Sequence, residues 1–99
     1  NLRIIQRLGE RYGVAVGYSG HETSVSPTVV AAALGAVVVE RHITLDRASW
    51  GTDQAASLEE PGLTSLVTIL RRLPDMLGDG IKRVSEKELT VATNLRYWP

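Results

Sequence analysis

The sequence predicts an α/β fold organised around a strand–helix–strand unit, and three observations favour it. Residues 14–18 and 36–40 are short, almost continuously apolar runs, as expected of parallel strands that helices cover on both faces. Between them, Ser26 followed by Pro27 is a typical helix start, and Gly35 is a typical helix end. The unit spans about thirty residues, the usual size of a βαβ unit with a right-handed crossover.

Helices are predicted on both sides of this unit. Apolar residues recur at helical spacing in residues 2–12, and Gly13 is expected to end that helix in the left-handed conformation. Later in the chain, Ser57 and Glu60 form a predicted capping box. Leucines recur every three or four residues from there until Gly78 ends the pattern. The sequence therefore predicts a long amphipathic helix after the second strand.

Residues 79–84 are predicted to be a linker, and a second capping box, Ser85 with Glu88, opens a weakly amphipathic helix after it. The chain ends on Tyr97, Trp98 and a proline, and these aromatic residues need burial or a partner. The predicted order is helix, strand, helix, strand, long polar loop, helix, linker and helix.

Composition excludes several classes of protein. The 11 basic and 11 acidic residues give a net charge of zero, so nucleic acid and anionic membranes are not expected as partners. Apolar residues make up 43% of the chain, which is typical of a packed domain. No apolar run approaches the roughly 20 residues of a membrane span. The absence of cysteine rules out disulfides and fits a cytoplasmic location.

Two parallel strands do not make a stable sheet by themselves, because both edges stay open and little surface is buried. An eight-unit α/β barrel needs about 250 residues, and an open doubly wound sheet would also lack strands here. The chain begins without Met inside a predicted helix. We therefore expect a piece of a larger α/β domain, with both architectures open.

Both histidines of the sequence, His21 and His42, follow the predicted strands, and each has a polar residue two positions earlier. Ser19 precedes His21, and Glu40 precedes His42. Residues two apart in a strand point to the same face, and α/β folds carry their sites at the carboxyl ends of strands. The pattern predicts one site formed by these four side chains.

His21 and His42 are candidate metal ligands, because neutral imidazole commonly binds metal ions. Since the sequence has no cysteine, an open divalent-ion site that also holds water or substrate is favoured over a closed structural zinc site. The alternative is that each histidine is a half-buried, hydrogen-bonded residue without a ligand.

Glu40 and Ser19 have candidate roles beside the histidines. A carboxylate at the end of an apolar strand is costly unless it is paired or used. Glu40 is therefore expected to bind the metal through water, to move protons, or to hold a substrate amine or hydroxyl. Ser19 either caps a backbone group or donates to a substrate phosphate or carboxylate.

Asp53, in the loop after the second strand, is either a turn former or a contact for substrate hydroxyls. Glu22 directly follows His21, so its side chain is expected to point to the opposite face, and it is interpreted as part of a solvated loop. Arg71 and Arg72 are interpreted as a solvated helix face.

Several motifs, in order and at plausible spacings, resemble those of the sialic acid synthase family, whose members are also called N-acetylneuraminate synthases. They are GYSGHE at 17–22, ALGA at 33–36, ERHITLD at 40–46, GTD at 51–53, ASLE at 56–59 and LGDGIK at 77–82. The resemblance covers almost the whole chain and is specific because the motifs occur together.

The resemblance implies a partial TIM barrel, (β/α)₈, followed by a small antifreeze-protein-like domain. Residues 1–78 would be the C-terminal portion of the catalytic barrel, with its helix 6 and its strands 7 and 8 with their helices. Residues 79–99 would be a linker and short helix leading to the C-terminal domain. Members commonly form homodimers in which that domain caps the partner's barrel.

The resemblance also implies a transferase of carbohydrate biosynthesis. The family condenses phosphoenolpyruvate with N-acetylmannosamine, its 6-phosphate or a related amino sugar, and it requires a divalent ion, Mn²⁺ or Mg²⁺. The products are a nine-carbon 2-keto sugar acid such as N-acetylneuraminate, and phosphate. By match, His21 and His42 bind the metal, Ser19 contacts phosphoenolpyruvate, Glu40 is an active-site carboxylate and Asp53 contacts the amino sugar.

The chain departs from the family pattern at Gln54, where many members have His. The family's phosphate-binding lysines lie upstream of this stretch, and an arginine of the C-terminal domain lies downstream. We therefore expect the 99-residue chain by itself to bind substrates weakly and not to turn over. The alternatives are a legionaminic or pseudaminic acid synthase, another two-His metal-dependent barrel enzyme such as an aldolase, and a non-catalytic sugar-binding domain.

Overall fold

The protein is described by a computed structural model that covers residues 1–95. In chain order its elements are helix α1 (Ile4–Tyr12), strand β1 (Tyr18–Gly20), helix α2 (Ser26–Ala33), strand β2 (Val39–Arg41), helix α3 (Glu60–Leu77) and helix α4 (Glu86–Leu95). The predicted order of elements is confirmed. The predicted aromatic end, Tyr97 and Trp98, lies outside the described residues.

The two strands pair in parallel, and α2 connects them. The paired residues are Tyr18 with Val39, Ser19 with Glu40, and Gly20 with Arg41. This arrangement confirms the α/β class and the βαβ unit. A two-stranded sheet does not by itself close a barrel.

Both strands begin later than the apolar runs predict. The runs at 14–18 and 36–40 approach each other before the regular ladder starts, because the Val37 N–H donates to the Val16 carbonyl at 2.9 Å. Val37 and Val38 are 70% and 64% exposed. The predicted strand limits are wrong because apolar composition indicates where a chain could be buried, whereas a strand is defined by backbone pairing.

Helix α1 ends as predicted, because Gly13 adopts the left-handed conformation and its N–H donates to the Gly9 carbonyl at 2.9 Å. Helix α2 begins at Ser26 itself, one residue earlier than predicted. Val25 is the N-cap, since its carbonyl already accepts the first helical hydrogen bond, from the Val29 N–H at 3.1 Å. The assignment of Ser26 as N-cap is therefore wrong.

The capping box predicted at the start of α3 does not form. Glu59 is the N-cap and no side chain caps it. The hydroxyl of Ser57 instead donates to the Asp53 carbonyl at 2.7 Å, and Ser57 is only 4% exposed. Ser57 therefore closes the loop before α3 rather than the helix itself.

The second predicted capping box is confirmed. The Ser85 N–H donates to Glu88 Oε2 at 2.7 Å, and the Glu88 N–H donates to Ser85 Oγ at 3.3 Å. In the linker before it, Arg83 and Asp79 form an exposed ion pair at 2.7 Å. The start of α4 is thus defined by its own side chains.

The core lies where α2 packs against β1 and α3. Its most buried residues are Thr28 and Ala31 on α2, with Leu66 on α3. Leu58, just before α3, pairs with Ile43 in an isolated parallel bridge, which ties the start of α3 to the chain after β2. No helix within residues 1–95 has the length and apolar character needed to cross a bilayer.

Candidate active site

Ser19 and Glu40 face each other across the parallel sheet. Ser19 Oγ donates a hydrogen bond to Glu40 Oε1 at 2.8 Å, and both side chains are exposed. The contact confirms that the two strand ends carry adjacent polar groups. Such a hydrogen bond contributes on the order of 1 kcal/mol, so its main effect is to orient the Glu40 carboxylate.

His21 directly follows β1, and His42 directly follows β2. The centroids of their rings lie 5.0 Å apart with an interplanar angle of 62°. Both residues are exposed. The structure therefore brings Ser19 close to Glu40 and His21 close to His42, and each histidine lies two residues after its polar neighbour.

The spacing of the two rings fits a shared metal ion. Two imidazoles bound to one ion through nitrogens about 2.1 Å away have centroids roughly 5 Å apart at the usual coordination angles. The ring centroids of His21 and His42, 5.0 Å apart, match that distance. Within the part of the chain that the structure describes, no group of three or more His, Cys, Asp and Glu side chains could hold a metal. The pair fits two positions of an open site.

Asp53 lies in the loop after β2 and, among the described residues, forms no hydrogen bond with these four. Its backbone is in the left-handed region, with φ of 64°, a conformation that Asp tolerates better than most residues. Its carbonyl accepts from Ser57, and no hydrogen bond within residues 1–95 joins its exposed carboxylate to the histidines, Ser19 or Glu40. The neighbouring Gln54 accepts a hydrogen bond from the Thr44 hydroxyl, which fixes the loop to the chain after β2.

On the opposite face of the strand ends, Tyr18, Glu22 and Arg41 form a second polar cluster. The Tyr18 hydroxyl donates to Glu22 Oε1, and Arg41 donates to the Glu22 carbonyl. Glu22 and Arg41 are half-buried, and Glu22 Oε2 and Arg41 Nε are buried without a hydrogen-bond partner. The interpretation of Glu22 as solvated loop is wrong, because its side chain folds back over Gly20 towards Tyr18.

The cluster changes the acidity of two of its members. Burial raises the pKa of Glu22, but the hydrogen bond from Tyr18 and the charge of Arg41 outweigh burial, so the pKa lies below its usual value. Burial, followed by the hydrogen bond to Glu22 and the charge of that carboxylate, raises the pKa of Tyr18 to about 12. Tyr18 stays neutral and donates to an ionised Glu22.

Arg41 is not among the predicted site residues, although one feature of the sequence indicates that it lies in this cluster. Arg41 alternates with Glu40 and His42, so it must face away from them, towards a strand that has Gly20 at the paired position. A glycine opposite a long charged side chain leaves room for that chain to fold across the neighbouring strand.

A profile of the NeuB family matches residues 1–82. The chain belongs to the NeuB family. The resemblance to sialic acid synthases is thereby confirmed, and relatives with named activities share 33–45% of the aligned residues. The N,N'-diacetyllegionaminic acid synthase of Campylobacter jejuni is 42% identical over 88 residues, which are 89% of this chain and 26% of that protein. The human N-acetylneuraminate-9-phosphate synthase is 43% identical over 90 residues, 90% of this chain and 25% of that protein.

A solved NeuB-related structure has the same fold over this stretch. It is the N-acetylneuraminic acid (sialic acid) synthetase of Leptospira borgpetersenii in complex with citrate, with 34% identity and a TM-score of 0.77. The alignment covers 99% of this chain and 35% of that one. The chain spans about a quarter of the length of the curated relatives named above. It is an α/β stretch similar to part of a sialic acid synthetase.

Proposed function

We propose that this chain supplies the metal-binding side of the active site of a synthase that joins phosphoenolpyruvate to an N-acyl amino sugar. The observation that carries the proposal is the meeting of His21 with His42 at 5.0 Å, beside the hydrogen-bonded pair Ser19 and Glu40. Membership of the NeuB family supports the reaction class, because the relatives are named as synthases of sialic and legionaminic acids.

The proposal includes the partial barrel. Residues 1–78 would be the C-terminal portion of a (β/α)₈ barrel, and 79–99 a linker towards a further domain. The exposed Val37 and Val38, which lead into β2, support this reading, because apolar residues around the strands of a barrel are covered by neighbouring strands and helices. Phosphate-binding groups would then come from the other strand ends of the barrel.

The proposed reaction uses one molecule of each substrate and one of water. Carbon 3 of phosphoenolpyruvate bonds to the aldehyde carbon of the sugar, whose oxygen takes up the electron pair and a proton. Water adds at carbon 2 and loses a proton, and the bond between carbon 2 and the phosphate oxygen breaks. Phosphate leaves, and a 2-keto acid of nine carbons remains.

His21 and His42 would hold a divalent ion, Mn²⁺ or Mg²⁺, through their neutral rings. When bound, such an ion supplies Lewis-acid stabilisation of the negative charge that develops on the aldehyde oxygen. We assign Glu40 the proton transfers, because its exposed carboxylate is adjacent to both histidine strand ends. Ser19 orients that carboxylate, and its hydroxyl can turn to donate to a phosphoenolpyruvate oxygen.

Asp53 would contact hydroxyl groups of the amino sugar. Its carboxylate is exposed, and its backbone is anchored by Ser57. Gln54, bound to Thr44, offers a neutral amide at the position where many family members have His. We expect the sugar to be recognised by the loop that carries these residues.

The choice of amino sugar is part of the test. The legionaminic and neuraminic acid relatives are 42% and 43% identical to this chain, so similarity favours neither sugar. The complete protein that carries this chain should be incubated with phosphoenolpyruvate and, in separate reactions, N-acetylmannosamine, its 6-phosphate and the diacetamido sugar of the legionaminic route. We expect phosphate release that requires both substrates, and one sugar should give the highest kcat/KM.

Two other results would contradict the proposed synthase. Absence of phosphate release with every sugar, together with cleavage of a 2-keto sugar acid to pyruvate, would contradict the synthase and favour an aldolase. Sugar binding without either reaction would favour a non-catalytic binding domain.

A further inference from the structure

We propose that Arg41 is a positioning residue that fixes His21 beside His42, so that their two rings can meet at one metal ion. The part of this proposal that concerns the metal rests on the function proposed above. The part that concerns the two rings depends only on the contacts of Arg41.

Arg41 is the last residue of β2 and directly precedes His42. Its guanidinium donates to polar groups in three separate segments of the chain. These are the carbonyls of Glu22 and Ser24 (2.8 Å) after β1, Thr28 Oγ1 (3.2 Å) on α2, and the Ala56 carbonyl (3.5 Å) before α3. One side chain therefore joins the strand of His42 to the segment that follows His21.

The segment after His21 depends strongly on these contacts. Residues 22–24 lie between β1 and α2, and within residues 1–95 they make no backbone–backbone hydrogen bond. Buried or half-buried carbonyls are costly without donors. The part-buried Glu22 carbonyl finds its donor in Arg41, which also donates to the exposed Ser24 carbonyl. Without the guanidinium, the chain between Gly20 and α2 would lose its main polar attachment to the sheet.

Only an arginine can make this set of contacts. Its planar group carries five N–H donors in a fixed fork, whereas lysine has a single charged nitrogen on a flexible stem. The side chain crosses the sheet above Gly20, where an added Cβ would come within 2.8 Å of Arg41 Cδ. Because residue 20 is a glycine, the Arg41 side chain has room to reach the loop after β1.

The consequence for the histidines follows from their positions in the chain. His21 lies between Gly20, which pairs with Arg41 in the sheet, and Glu22, whose carbonyl Arg41 binds. Both neighbours of His21 are therefore held by the residue that precedes His42. Outer-sphere groups that orient metal ligands typically change metal affinity by about 10–100-fold when they are removed. We expect Arg41 to act in this range.

The test compares Arg41→Met with Arg47→Met in the complete protein. Arg47 also donates to a backbone carbonyl, that of Ala55 at 2.8 and 3.1 Å. Both residues lie in the loop after β2, so this contact does not join the two strands. The first readout is the nuclear Overhauser effect between the two rings in metal-free, histidine-labelled protein. The second is the dissociation constant for Mn²⁺, measured by electron paramagnetic resonance.

For Arg41→Met we expect loss of the ring–ring effect and Mn²⁺ binding weakened about tenfold or more. Arg47→Met should retain both properties of the unmodified protein. Glu22→Gln should also retain the ring–ring effect, because Arg41 binds the carbonyl of residue 22 and not its side chain. Unchanged rings and unchanged Mn²⁺ affinity in folded Arg41→Met would overturn the proposal.

Arg41→Lys keeps the test decisive if Arg41→Met does not fold. Lysine preserves the charge and can reach one of the carbonyls, so we expect a folded protein with intermediate Mn²⁺ affinity. Full affinity in Arg41→Lys would contradict a role for the guanidinium fork. If the unmodified protein binds no Mn²⁺, the metal site of the proposed function fails, while the ring–ring comparison still decides the role of Arg41.

Discussion

Gly20 and Arg41 are paired residues of the parallel sheet, and the arginine occupies the space that a side chain at residue 20 would need. A Cβ at Gly20 would lie 2.5 Å from Glu22 Oε2, 2.8 Å from Arg41 Cδ and 2.9 Å from Tyr18 Cε1. Gly20→Ala therefore forces the whole cluster to shift. We expect a loss of about 1–3 kcal/mol in the free energy of unfolding, measured by urea denaturation.

Gly9→Ala is the matched control for this substitution. A Cβ at Gly9, inside α1, would meet only ordinary contacts, at 3.7 Å from the Val14 carbonyl and 3.9 Å from Val16 Cγ2. Since alanine is the better helix former, we expect unchanged stability or a gain of about 0.5–1 kcal/mol. Equal stabilities of the two variants would show that the space above Gly20 is not restrictive.

The histidine pair predicts how metal binding responds to substitution. His21→Gln and His42→Gln should each remove most of the bound Mn²⁺, because one remaining imidazole holds an exposed ion poorly. The double variant should bind only slightly less Mn²⁺ than either single variant, since the two rings act on the same ion. Metal analysis after dialysis checks this. Unaltered Mn²⁺ content in His42→Gln would instead favour a site that binds sugar alone.

Glu40→Gln tests the assigned proton transfers. The amide keeps the size of the side chain and can still accept from Ser19, but it cannot take up a proton. We expect kcat to fall about 10²–10⁴-fold with little change in stability, because Glu40 is exposed. Steady-state phosphate release gives kcat. Ser19→Ala is the comparison variant, because it removes the hydrogen bond to Glu40 but keeps the carboxylate. A Glu40→Gln enzyme with normal kcat would restrict Glu40 to binding.

Tyr18 predicts a dependence of stability on pH. Its pKa is raised from the ordinary value of 10.0 to about 12 in the folded protein, so folding favours the neutral phenol. The stabilisation is fully present below pH 10 and is lost as the pH rises towards 12. The unfolding free energy should therefore fall over this range, and the fall should be smaller in Tyr18→Phe. Parallel curves for the two proteins would contradict the prediction.

The meeting of Ser19 with Glu40 and of His21 with His42 could be predicted because strand parity is a local property. Ser19 and His21 share a face whatever surrounds them, and the same holds for Glu40 and His42. Parity also places Arg41 on the other face, but it does not say what Arg41 meets there. Its partners, Ser24, Thr28 and Ala56, come from three segments that only the folded chain brings together.

The two capping boxes show the same limit. Ser57 and Ser85 have the same local pattern, a glutamate three residues on. Ser85 caps its helix, whereas the Ser57 hydroxyl is taken by the Asp53 carbonyl, which the left-handed turn at Asp53 presents to it. The pattern describes a helix start correctly only where the backbone enters the helix at the serine, whereas α3 begins at Glu60 with Glu59 as its N-cap.

The register of Ser19 against Glu40 restricts how this stretch can change in length. The two residues are 21 positions apart in the chain, and the helix between them packs on the sheet. One inserted residue in α2 would turn the rest of the helix by about 100°, and a one-residue slip in β2 would turn Glu40 away from Ser19. Insertions are accommodated more easily in residues 45–56, because this loop follows both strands and both histidines in the chain. We expect changes in the length of that loop to affect the proposed sugar contact at Asp53 and to leave the pairing of His21 with His42 intact.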